Sequence, residues 1–292
     1  MTAVLGIDLA SARWSFNGSA LLHFDPSTGT FTGVVPGAIT WPGLDTPLTP
    51  QALADAVHAF AVREDVRAVA LDGPHAWRNP DTPANAPGVG RRCELACRTQ
   101  GKTGVYPKAY PGPQFTWIDF CVRVFDALLA QPGVRLAQIP AGVADPARAD
   151  PARAPHACGA PSVPDAASAL SAPDRYVVLE CFPTSIWRAS GLTPLPAKAT
   201  RPDVQHYYDT LAAAYALPAV PVSSHDDLQA IVAALAGVGV IGGPVKARPL
   251  GEACWMAEHA DGRRRVEGFI WDAMPRRPAP GPAGRAQPEP RV

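Results

Sequence analysis

The stretch Ala3-Val-Leu-Gly-Ile-Asp-Leu-Ala10 decides the fold. Its apolar residues form one short continuous run, as in a central strand buried on both faces. A carboxylate, Asp8, interrupts that run between Ile7 and Leu9. A charge in a central strand costs several kcal/mol unless it is paired or meets a cation. A second short run, Val66–Leu71, ends the same way, in Asp72-Gly-Pro.

Working outward, Trp14–Phe24 and Phe31–Trp41 read as the second and third strands, joined by the turn cluster Asp25-Pro-Ser-Thr-Gly. Thr49 and Pro50 supply the cap and first position of a helix over 49–63, with apolar residues at 53, 57, 60 and 61. The strand 66–71 follows, then a basic helix over 90–100 and an apolar helix over 115–131. Tyr176–Phe182 is a strong strand. Helices are expected near 185–190, 202–215 and 225–236, and two final strands at 253–259 and 266–271. Gly237-Val-Gly-Val-Ile-Gly-Gly reads as a helix cap and turn.

Three consecutive strands, a helix, a strand, helices and another strand give a mixed sheet. Right-handed crossovers put the fourth strand beside the first and the fifth beyond it. The expected class is therefore α/β: a five-stranded mixed sheet flanked by helices, in ribonuclease-H-like order, plus a C-terminal strand pair.

The chain has 292 residues, 26 basic and 26 acidic. Zero net charge argues against a nucleic-acid coat protein or a polybasic membrane binder. No run approaches the roughly 18 apolar residues of a membrane helix. Met1–Ala10 has no basic leader, so a cytoplasmic location is expected. Six cysteines, at 93, 97, 121, 158, 181 and 254, have no C-x-x-C spacing. Cys93 and Cys97 read as small buried side chains. Of 34 prolines, eight fall in 132–173 and six in 275–292. Neither segment has hydrophobic periodicity, so the expected organisation is one domain over 1–274, with a disordered insertion at 132–173 and a disordered tail at 275–292.

If strands one and four are neighbours, Asp8 and Asp72 meet at one sheet edge. Glu180 lies late in the fifth strand, and Asp226 and Asp227 open the last long helix, behind His225. Clustered carboxylates with few local lysines imply a hard cation, Mg²⁺ or Mn²⁺. Asp8, Asp72, Glu180 and Asp226 are the candidate metal ligands and catalytic residues. Asp226 and Asp227 also suit a simple helix cap. Residues 90–108 hold Arg91, Arg92, Arg98, Lys102 and Lys108 against Glu94 alone. In a helix, Arg91, Glu94 and Arg98 share a face. Arg91, Arg98 and Lys102 are therefore candidate phosphate ligands, with Lys198 a fourth. A solvated helix face is the competing reading. Tyr106, Tyr110, Phe115 and Trp117 suit either base stacking or the start of the next helix. His75 reads as a loop residue, and His225 as a cap or lining of the acidic site.

The phrases GIDLA (6–10), LDGP (71–74), RRCELACR (91–98), ECFPTSIWRASG (180–191), PLPAK (194–198), HDDLQAIVAAL (225–235) and EGFI (267–270) come in a fixed order. As an ordered set they resemble a family of ribonuclease-H-like nucleases known as domain of unknown function 429. The resemblance implies a metal-dependent nuclease acting on nucleic acid or another phosphodiester. It covers nearly all the chain outside the proline-rich parts. One position departs: the family's last helix carries a second acidic residue three positions after the first, where this chain has Gln229. That departure favours an alternative, a scaffold or binding protein that kept the fold without the chemistry. A third reading, an ATP-handling protein of the actin, Hsp70 and sugar-kinase kind, shares the sheet order and the G-I-D phrase. It needs two copies of the fold, and one is found. Substrate and oligomeric state are not legible.

Overall fold

The computed structural model describes residues 1–43, 45–81, 90–99, 101–138, 175–259 and 262–276. β1 (Thr2–Asp8) pairs antiparallel with β2 (Gly18–Asp25), and β2 with β3 (Thr30–Pro36). Asp25 closes the β2–β3 turn by accepting from the Ser27 amide at 2.9 Å and hydroxyl at 2.6 Å. α1 (Pro50–Arg63) starts as expected, with the Thr49 hydroxyl accepting from the Ala52 amide. β4 (Val66–Asp72) then lies parallel beside β1, and β6 (Tyr176–Cys181) parallel beyond it. Between them come α2 (Arg92–Ala96), α3 (Phe115–Leu129) and a short β5 (Val134–Leu136). α4 (Pro183–Ala189), α5 (Val204–Tyr215) and α6 (His225–Val240) follow β6. β7 (Val245–His259) and β8 (Gly262–Pro275) form a long antiparallel pair, with β8 parallel to β6. The result is one mixed eight-stranded sheet, ordered β3-β2-β1-β4-β6-β8-β7, with β5 paired to β6.

Four expectations need correction. Residues 14–16 are a 3₁₀ turn rather than the start of a strand, and β2 begins at Gly18. The basic helix shrinks to five residues. The expected insertion is ordered at its start, where Val134–Leu136 pairs with Tyr176–Val178. Most of it, 139–174, and the tail 277–292 lie outside the described residues. Finally, α6 does not stop at Gly237. It runs on to Val240, because Gly237 is a packing residue, where a methyl group would stand 2.6 Å from Val4 Cγ1.

Strand alternation divides the core into two faces. Val4, Ala68, Ala70, Val177 and Leu179 pack with Leu228, Ile231, Val232 and Leu235 of α6. Leu5, Ile7, Val69, Leu71 and Val178 pack with Leu53, Val57 and Phe60 of α1 and with Phe120, Val124 and Phe125 of α3. Burying each large side chain contributes about 1.5–3 kcal/mol. α6 is alanine-rich and lies unusually close to the sheet. A methyl group at Gly6 would stand 1.9 Å from the Ala230 carbonyl oxygen, and one at Gly18 would stand 2.1 Å from that of Asp226. The glycine of GIDLA is thus a docking groove for α6.

Candidate active site

The even positions of β1 face α6, so Asp8 does too. Asp8 is in register with Asp72 across the parallel β1–β4 pair, and paired residues point to the same face. Neighbouring strands run about 4.8 Å apart. The two carboxylates therefore stand side by side at the carboxyl ends of central strands, where open α/β sheets place their ligands. α6 brings Asp226 and Asp227 to the same corner, and Gly18, opposite Asp8 on β2, lets its first turn come in. Ser224 caps that turn by accepting from the Asp227 amide, and Asp227 Oδ1 accepts from the Ser19 amide at 3.1 Å. The helix-cap reading of the two aspartates is thereby replaced: Ser224 is the cap, Asp227 ties α6 to β2, and Asp226 is left to the site.

The electrostatics follow from this crowding. Burial raises the Asp8 pKa well above the usual carboxylate range, and the charges of Asp72, Asp226 and Asp227 push it further, against Lys198. Burial lifts Asp72 to about 7; Lys102 opposes this and Glu180 adds to it. Asp227 is raised by burial, partly offset by the Ser19 amide. Asp226 goes the other way. Burial pushes it up, but hydrogen bonds from His225 and Lys198 outweigh that. Lys198 Nζ lies 2.5 Å from Asp226 Oδ2, and His225 Nδ1 lies 3.3 Å from Oδ1. The Asp8 and Asp72 carboxylates accept no hydrogen bond from the described residues.

Glu180 belongs elsewhere. It is in register with Leu71, so it points to the α1–α3 face, opposite Asp8 and Asp72. Arg91 clasps it with two bonds, of 2.8 and 2.5 Å. The His75 amide and Nδ1 donate to it at 2.9 and 2.6 Å. Burial raises its pKa, but the Arg91 charge and the His75 and Arg91 hydrogen bonds prevail and hold it at about 2. With its oxygens committed to protein donors, Glu180 is a structural anchor and not a metal ligand. Arg91 is corrected with it. The side chain is fully buried, with Nε bonded to Thr103 Oγ1, and has no free face for a phosphate.

The remaining cations divide. Arg98 is exposed at the end of α2, in left-handed backbone, away from the shared helix face expected of it. Lys102 reaches Asp72 electrostatically and lies 5.5 Å from the Trp117 ring centre. Lys198 is held by Asp226. Tyr106, Phe115 and Trp117 pack against the small core around Trp77, which gives three of the four aromatics a structural role. Cys93 and Cys97 are buried, as expected.

Sequence reading missed the frame that carries Lys102. Glu94 accepts from the Arg91, Lys102 and Thr103 amides and from the Thr103 hydroxyl. Glu267, fully buried, accepts from the Asn79 and Arg92 amides at 3.0 and 2.9 Å. His75 lies in the loop after β4, as expected, but it is buried there and brackets Glu180. Burial keeps it below its ordinary pKa despite Glu180, so its ring is neutral. The signal was present as carboxylates in otherwise apolar phrases, but their partners are distant in sequence.

Between this frame and Asp72 lies a cavity of about 110 Å³, lined by Asp72, Glu94, Lys102, Trp117 and Phe182 among others. Among the described residues no group of three or more His, Cys, Asp or Glu side chains is arranged to hold a metal ion. The donor chemistry nonetheless suits a hard divalent cation: three carboxylates at one corner, two of them without protein donors. Gln229, one turn along α6 from Asp226, has a buried Oε1 with no hydrogen-bond partner among the described residues. No helix of the described residues is long and apolar enough to cross a membrane. Comparison with protein-family models, with curated proteins and with solved structures found no match to this chain.

Proposed function

We propose that the protein is a metal-dependent phosphodiesterase, most simply a nuclease, whose centre is Asp8, Asp72 and Asp226. The observation that carries this is the register pairing of Asp8 with Asp72 on the face that α6 closes. Two adjacent carboxylates raised by burial, with the Asp72 charge pushing Asp8 further, are stabilised in ionised form by a cation. The strand order, with three antiparallel strands followed by parallel neighbours, supports a ribonuclease-H-like assignment, and so does the order of the quoted phrases. Asp8 and Asp72 would hold the Mg²⁺ or Mn²⁺, with Asp226 completing the shell. Such an ion supplies an activated water and neutralises the leaving oxygen. Lys102, acting on Asp72, and Lys198, bonded to Asp226, are the cations placed to hold the phosphate. Asp226 keeps Lys198 in place until an anion competes for it. Glu94 fixes Lys102 through the backbone amide.

The test is cleavage of DNA, RNA and branched substrates with Mn²⁺ as the added ion. Asp8→Asn is expected to lower cleavage at least 100-fold; cleavage that survives this change overturns the assignment. A second reading, a scaffold without chemistry, is favoured by Gln229 and by the Lys198–Asp226 pair, which leave fewer charges for a metal. Its signature is a melting temperature that Mg²⁺ and Mn²⁺ do not move.

A further inference from the structure

We infer that the cavity beside Asp72 is a nucleobase subsite, and that the base it selects is cytosine. The inference rests on the proposed chemistry only for where the phosphate lies. The cavity itself supplies the rest. Its lining carries Asp72, Glu94 and Glu180, the last neutralised by Arg91, against one lining cation, Lys102. A phosphate inside would meet more negative than positive charge, so the group that enters is uncharged. Two aromatic side chains line the space, Trp117 of α3 and Phe182 at the start of α4. Aromatic walls favour a flat ring. The cavity of about 110 Å³ is smaller than the roughly 150 Å³ that encloses benzene but is partly open, so a single ring enters it edge-first and a purine fits less well.

The polar groups choose among single rings. Glu94 is saturated by backbone and hydroxyl donors, and Glu180 by Arg91 and His75. Asp72 accepts from no described residue, so it is the acceptor that remains. A carboxylate has lone pairs enough to serve both a cation and a base edge. Cytosine offers Asp72 its exocyclic amino group, while its ring nitrogen and carbonyl can accept from Lys102. Uracil and thymine carry a carbonyl oxygen where cytosine has that amino group, so this bond to Asp72 is lost. The phosphate then sits at the cavity mouth, toward Asp8.

Calorimetric titration of the full chain in EDTA at about pH 8.5, where Asp72 with its pKa of about 7 is ionised, with cytidine, uridine, adenosine and ribose 5-phosphate tests this without metal or cleavage. Cytidine is expected to bind on the order of tenfold more tightly than uridine, with ribose 5-phosphate showing no saturation. Phe182→Ala is expected to remove nucleoside binding while keeping a cooperative melt, and Asp72→Asn to erase the cytidine preference. Equal binding of cytidine and uridine, or no nucleoside binding, overturns the inference. If Phe182→Ala fails to fold, the cytidine-to-uridine ratio of the unmodified protein still decides. Nuclease activity without nucleoside binding sinks the subsite alone, whereas nucleoside binding without Mn²⁺-dependent cleavage sinks the nuclease reading.

Discussion

Glu180 and Asp72 occupy adjacent strands and have opposite fates. Neighbouring positions in a strand face opposite sides of the sheet, so one carboxylate meets Arg91 and the other meets Asp8. Removing one partner of a buried pair leaves an uncompensated charge, which costs about 3–5 kcal/mol. Glu180→Gln is therefore expected to destabilise the protein by about that much in urea denaturation, by stranding Arg91. Its pH signature follows from a folded pKa of about 2 against the ordinary glutamate value of 4.5. The stabilisation is full above the unfolded pKa and is lost as pH falls from about 4.5 to about 2. At this scale the sequence showed which carboxylates were out of place, but not what each one met. The partner of Glu180 lies 89 residues away.

At the scale of elements, α6 assembles the site. Its position is set by glycines on the sheet and alanines on the helix, so adding a single methyl group there is a sensitive probe. Gly6→Ala would drive a methyl group into the Ala230 carbonyl and shift the helix. Overpacking of this kind typically costs about 1–3 kcal/mol, readable as a lowered melting temperature. Gly18→Ala, beneath Asp226, is expected to weaken Mn²⁺ binding in calorimetry more than Gly6→Ala does, because it displaces the turn that carries the carboxylate. The order of strands and helices was legible from apolar runs and turn residues, and so was the convergence of Asp8, Asp72 and Asp226. The short α2 was not. Its helical periodicity was produced by Arg91, Glu94 and Arg98, which serve three different purposes: a buried pair, a backbone bracket and a solvent-facing charge. Gly237 misled for the opposite reason, since tight packing rather than a turn demands it.

For the whole molecule, stability should respond to pH through the acidic corner with a sign opposite to that of Glu180. Asp8 and Asp72 have raised folded pKa values, so the native state retains protons that the unfolded chain has released. Stability from this corner is greatest below about pH 4 and falls as pH rises through about 7, where Asp72 ionises. In EDTA the melting temperature is expected to drop between pH 5 and 8. Saturating Mn²⁺ should reverse the drop, and Asp72→Asn should flatten it. Scanning fluorimetry across that range measures all three. Composition alone hid this behaviour: 26 charges of each sign cancel in the total, but they are sorted in space.

The bond between Ser19 and Asp227 joins residues 208 positions apart. A ribosome adding roughly 5–20 residues per second therefore makes the first strands about 10–40 s before the helix that completes the acidic corner. Until then Asp8 and Asp72 lack Asp226, so a nascent or truncated chain ending before His225 carries an incomplete centre. The order of synthesis thus completes the acidic corner last, and a partly made copy lacks the arrangement proposed to bind the ion.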